Sequence, residues 1–146
     1  MNSKNFALLL GIVYTVVGVL GFVPGILSTP PVGAPDLRVD AGYGYLLGLF
    51  PVNVIHSLVH LATGVWGLMA ARSLTASRAY ARSLAFLFGA LTIMGVLPGL
   101  RTLFGLTPLF GHDVWLHALT ALTAAYFGFR REWAADVARD RERRAA

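Results

Sequence analysis

Apolar residues along this chain run in four long blocks instead of alternating with polar ones. The blocks fall at about residues 6–27, 46–71, 83–104 and 114–130. Each is near the roughly 20 residues that a helix needs to cross the hydrocarbon of a bilayer. Continuous apolarity predicts helices, because the strands of a membrane barrel alternate apolar and polar side chains. The predicted fold is an all-α integral membrane protein, with a four-transmembrane-helix bundle over residues 1–130. Polar residues collect between and after the blocks. Ser28 to Gly44 holds Pro30, Pro31 and Pro35 with Asp36, Arg38 and Asp40, too polar for lipid and too rich in proline for a helix. Tyr43, Tyr45 and Phe50 suit the membrane interface, and Pro51 suits the first turn of the second span. Residues 131–146 mix Arg with Asp and Glu and read as a solvated helical tail, with Arg130, Arg131 and Trp133 as an interfacial anchor.

Composition agrees with that pattern. Hydrophobic residues make up 56 % and charged residues 13 % of the 146, with a mean hydropathy of +0.66. Soluble domains average roughly 45–50 % and 25 %. The length fits one domain. No cysteine is present, which excludes disulfides, thiolate metal sites and cysteine nucleophiles. The net charge of +5 is not a nucleic-acid footprint, because the basic residues sort by membrane side. Lys4, Arg72, Arg78, Arg82, Arg130, Arg131, Arg139, Arg141, Arg143 and Arg144 fall on one side, and Arg38 and Arg101 on the other. The positive-inside rule then predicts a multi-pass protein of the plasma (inner) membrane with both termini cytoplasmic. Lys4 before an apolar run also resembles a signal peptide, but Pro35 follows the small residues Val32-Gly33-Ala34 and the run is long, so a retained span is expected.

The blocks pair as repeats. Gly21-Phe22-Val23-Pro24-Gly25 matches Gly95-Val96-Leu97-Pro98-Gly99, and His56-Ser57-Leu58 matches His117-Ala118-Leu119. The chain therefore reads as two parallel helical hairpins, related by an axis along the membrane normal. Gly21 with Gly25, Gly95 with Gly99, and Ala118, Ala121 and Ala125 form small-residue faces for close helix packing.

All four histidines lie in or beside two of the blocks. Asn53, His56 and His60 share one stripe of the second span, and His56 and His60 sit one turn apart, the spacing that lets two imidazoles hold one ion. Asp113 and His117 repeat that spacing at the start of the fourth span, while His112 precedes the helix. Ionisable groups inside a membrane are costly and mark working sites. Three readings stay open for His56, His60, His117 and Asp113. They hydrogen-bond across helices with Asp113 as a helix cap; they bind a transition metal, or His56 and His117 ligate haem iron; or they relay protons. Arg101 either faces that pocket or snorkels to the surface. Ser57 lacks the glycine-rich elbow of a hydrolase nucleophile, and no phosphate-binding loop exists.

Phe50-Pro51-Val52-Asn53 followed by His56, His60 and Gly64 resembles the second span of an uncharacterised bacterial membrane protein family, domain of unknown function 4383. Gly18, Gly21 and Phe22, and Asp113 with His117, resemble the same pattern. The resemblance implies a four-span membrane protein without an assigned activity, and the layout is similar to that of DoxX-like proteins. Short loops and the lack of a nucleophile point away from an enzyme and towards an accessory or structural subunit, in the lipid bilayer and in a homo-oligomer or larger membrane complex. The alternative is a haem- or transition-metal-binding redox component.

Overall fold

Helices dominate the described residues, 1–130 and 134–145 of a computed structural model, and a small sheet accompanies them. Helix α1 covers Ser3–Leu20, α2 Val54–Ala70, α3 Leu74–Val96 and α4 His112–Phe129. A further helix, α5, covers Ala134–Ala145 in the polar tail. The proposed anchor residues Arg131 and Trp133 lie outside the described residues.

The helix boundaries follow local chemistry more closely than they follow apolarity. Asn2, Asn53 and Ser73 each place a side-chain oxygen on a backbone N–H three residues on, starting α1, α2 and α3. The second span was expected from residue 46, but α2 starts at Val54. Residues 46 to 52 instead build a sheet, with β1 at Leu27–Ser28, β2 at Gly44–Leu46 and β3 at Phe50–Val52, in the antiparallel order β1-β2-β3. Pro51 thus stands opposite Tyr45 in an edge strand and not in a helical first turn. The β2–β3 hairpin turns at Leu47 and Gly48, both with positive φ (55° and 69°), as a type I′ turn requires.

The third span was expected from residue 83 and begins nine residues sooner, because Ser73 caps a helix that includes Arg78 and Arg82. Only residues 71–73 separate α2 from α3. The first and third blocks also end early. Gly21 caps α1 and Leu97 caps α3, and the apolar residues beyond them fold as turns and short 3₁₀ segments around Pro24 and Leu103. Consequently a Cβ added at Gly25 or Gly99 would meet nothing within 4 Å, and neither residue completes a packing face.

Gly21 and Gly95 do pack closely, since a Cβ on Gly21 would strike the Ser57 side chain and one on Gly95 the Leu109 carbonyl, and further glycines extend the packing. A Cβ on Gly11 would lie 2.6 Å from the Leu68 nitrogen, one on Gly18 2.7 Å from the Leu61 nitrogen, and one on Gly67 2.8 Å from the Gly11 Cα. The backbones of α1 and α2 therefore meet along a seam that admits no side chain. Helix α4 packs mainly on α3 and buries Asp113, His117, Thr120, Ala124, Phe127 and Gly128, of which Thr120 and Phe127 meet α1. The expected small-residue face of Ala118, Ala121 and Ala125 is half-buried beside these residues, and Ala121 packs against the core. Phe6, Tyr14, Tyr80, Leu84, Phe88 and Phe127 fill the space between the helix pairs.

Two helices, α1 and α3, are long and apolar enough to cross a membrane, and α2 is a shorter apolar helix.

Candidate metal centre

The elements above bring one set of polar side chains together at the sheet-bearing end of the helices. His56 sits in the first turn of α2 and His60 one turn further; Asp113 and His117 occupy the same relation on α4. All four are buried, none more than 7 % exposed. The ring centroids of His56 and His60 are 4.4 Å apart and those of His56 and His117 are 6.1 Å apart. One nitrogen from each of the three imidazoles lies within 4.8 Å of the other two. Two sequence segments separated by 61 positions thus converge on one point.

The unusual feature is what these groups lack. Nδ1 of His56, His60 and His117 and Oδ2 of Asp113 are buried without a hydrogen-bond partner. A buried polar atom left unpaired costs about 1–3 kcal/mol, and four of them in one place is a large concentrated cost. Asp113 Oδ2 is 3.8 Å from His56 Nδ1, too far for a direct hydrogen bond. Two tetrahedral ligands at about 2.1 Å from one ion lie about 3.4 Å apart, close to that separation.

The site is also held from outside. Asn53, fully buried, accepts from the His56 backbone N–H at 2.9 Å and donates to the carbonyls of Val39 and Leu106, both at 2.8 Å. It therefore ties the proline-rich loop and the α3–α4 loop together beside the histidines. His112 belongs to the first turn of α4, is exposed and accepts from Trp115 Nε1 at 3.0 Å, so it stands apart from the cluster. Arg101 is exposed beyond the end of α3.

The domain-of-unknown-function family DUF4383 matches residues 4–130. The chain belongs to the DUF4383 family. No curated protein and no solved structure matches it.

Three residues at this DUF4383 site carried no clear signal in the sequence. Tyr14 of α1 packs its ring 5.2 Å from that of His60 and shares a 2.9 Å hydrogen bond with Thr120. Phe88 of α3 meets the His117 ring edge-on at 5.2 Å. Thr107, in the α3–α4 loop, presents a buried and unpartnered hydroxyl. A tyrosine or phenylalanine in an apolar block looks like any other packing residue, and only the crossing of α1 and α3 near α2 gives these their place.

Proposed function

We propose that this DUF4383 chain is a four-span membrane protein that holds one divalent transition-metal ion on His56, His60 and His117, with Asp113 as a fourth or supporting ligand. The observation that carries the reading is the convergence of three buried imidazoles with every Nδ1 unpartnered. Neutral imidazole nitrogen selects zinc, copper, iron or nickel over calcium and magnesium, which prefer oxygen. Three protein ligands with an adjoining cavity fit a centre with an open position.

Haem fits less well. The cavity beside the histidines is about 190 Å³, below the roughly 300–1,000 Å³ of pockets for drug-sized ligands, and a porphyrin is larger still. The imidazoles also crowd one point and do not face each other across a macrocycle.

The bilayer reading is supported by inverted polarity. Ser3, His56, Ser57, Thr63, Ser77 and Thr120 are buried, whereas Ile12, Val16, Met69, Phe86, Ile93 and Leu122 are exposed on the outer faces of four helices. An apolar girdle of that extent on a single chain calls for lipid or partner subunits around it. On this reading the metal site lies towards the outer surface, both termini are cytoplasmic, and the protein acts as a metal-binding component of the inner membrane.

Metal analysis of the purified full chain tests the centre. Protein loaded with Zn²⁺ and dialysed should retain about one ion per chain, and His60→Ala and His117→Ala should each lose it while remaining folded. Equal metal content in the parent and both variants would refute the assignment.

A further inference from the structure

The cavity against the histidines has a definite shape and a definite exit. It is walled by Ile55, Val59, Leu87, Phe88 and Leu91, with His56, His60 and His117 at its inner end. Val59 of α2 is 41 % exposed and Leu87 of α3 is 42 % exposed, so the mouth opens sideways between these helices. On the loop side the cavity is bounded by Leu103, Thr107 and Leu109, and Asn53 ties the neighbouring loops through hydrogen bonds to Val39 and Leu106. A molecule reaching the histidines through the mouth passes only apolar side chains.

Its size sets the ligand. An apolar cavity of about 150 Å³ stays dry and binds benzene. At about 190 Å³ this one takes a single aromatic ring with a small substituent. Phe88 offers an aromatic wall, against which a second ring packs favourably. At the inner end the Thr107 hydroxyl lacks a partner, and a ring oxygen would give it one.

We propose that this side-opening cavity binds a hydroxyarene dissolved in the membrane, a phenol or quinol ring whose oxygen takes the open position of the ion on His56, His60 and His117. The proposal rests on the metal reading above. Thr107 hydrogen-bonds the same oxygen, and Val59 and Leu87 form the entrance.

The test uses full-length protein in detergent micelles, both stripped of metal and loaded with Co²⁺, whose visible absorption reports its ligands. Phenol should change the cobalt spectrum saturably. Toluene, which lacks the oxygen, should displace phenol without that spectral change. Leu87→Trp and Val59→Trp, which fill the entrance, should keep the cobalt and weaken the phenol response by about tenfold or more. A cobalt-loaded protein indifferent to phenol, or one whose response survives both tryptophan variants, overturns the proposal while leaving the metal centre standing. Failure to take up cobalt, zinc or copper removes the metal centre itself. Toluene-displaceable phenol binding to the stripped protein, measured by saturation-transfer NMR, would in that case show a ring pocket without coordination, and the proposal as stated would fall.

Discussion

Replacing Asn53 should destabilise the protein more than any single surface change, and two substitutions separate its roles. The side chain caps α2 through its oxygen and clamps two loops through its nitrogen. Asn53→Ala removes all three bonds. Loss of an N-cap costs about 1 kcal/mol. Each of the two lost hydrogen bonds to Val39 and Leu106 adds about 1 kcal/mol net, and leaves a carbonyl without that donor. The total is about 3 kcal/mol, and at about 3 °C per kcal/mol for a chain of this length Tm should fall by about 9 °C. Asn53→Asp keeps the cap oxygen and would match or exceed the parent if capping alone mattered, since an acidic group suits a helix N-terminus. Here it sets a carboxylate oxygen where the nitrogen now donates, 2.8 Å from two carbonyl oxygens. Asn53→Asp should therefore be at least as damaging as Asn53→Ala. Thermal unfolding in detergent, followed by circular dichroism, reads both. A parent-like Tm for Asn53→Asp would refute the clamp, and a parent-like Tm for Asn53→Ala would refute the whole account.

Other expectations are independent of that one. Gly64→Ala drives a methyl group into the Thr15 backbone and should cost about 1–3 kcal/mol, whereas Gly89→Ala meets open space in α3 and should be neutral or gain up to about 1 kcal/mol; comparable Tm shifts for the two would contradict the α1–α2 seam. Leu47 holds φ 55° in the β2–β3 turn, so Leu47→Gly should raise stability by about 1 kcal/mol, measured by the same unfolding assay, and a loss would contradict the turn assignment. The chain has no cysteine, so single cysteines report orientation cleanly. Ser3 and Ser77 are buried and poor labelling sites, while Thr75 and Gly33 are exposed. A cysteine at Gly33 should react with an impermeant maleimide on intact cells and one at Thr75 only after lysis; labelling of Thr75 from outside would invert the proposed topology.

Much of the site was legible because its residues break an otherwise apolar pattern. Histidines at one-turn spacing in two blocks, and an aspartate one turn before His117, stand out in sequence, and the structure brings them together. The element boundaries were less legible, since hydropathy does not see hydrogen bonds. Residues 46–52 are apolar enough for a span, yet they pair as strands because Gly48 permits the turn and Asn53 starts the helix only afterwards. Arg78 and Arg82 looked like a loop, yet their guanidinium groups reach the carbonyls of Arg130 and Gly128 from within α3. Long arginine stems let a helix continue past the apolar block. Of the glycines expected to pack closely, Gly21 and Gly95 do so, while Gly25 and Gly99 do not for a related reason. Spacing identifies candidate faces, but which face meets a neighbour depends on where each helix ends.

The distribution of satisfied and unsatisfied polar groups separates framework from site. Ser3 donates to the Phe127 carbonyl at 2.9 Å, Ser77 to that of Ala70 at 2.9 Å, and Tyr80 to that of Thr63 at 3.3 Å. Tyr14 and Thr120 satisfy one another across α1 and α4. These are the interhelical hydrogen bonds that a purely structural role predicts, and they tie the helices at several levels. Among the described residues, and guanidinium nitrogens aside, the buried side-chain atoms without partners are those of His56, Ser57, His60, Thr107, Asp113 and His117. Had the histidines served only to pin helices, they would show the same one-to-one pairing as the serines and tyrosines. Ser57 lies apart from the rest, against Gly21 at the end of α1, but the unpaired atoms of His56, His60, Asp113 and His117 gather in one region, which marks a place whose partner comes from outside the chain. A metal ion satisfies several such atoms at once, and the apolar channel between Val59 and Leu87 leaves room for a further ligand beside it.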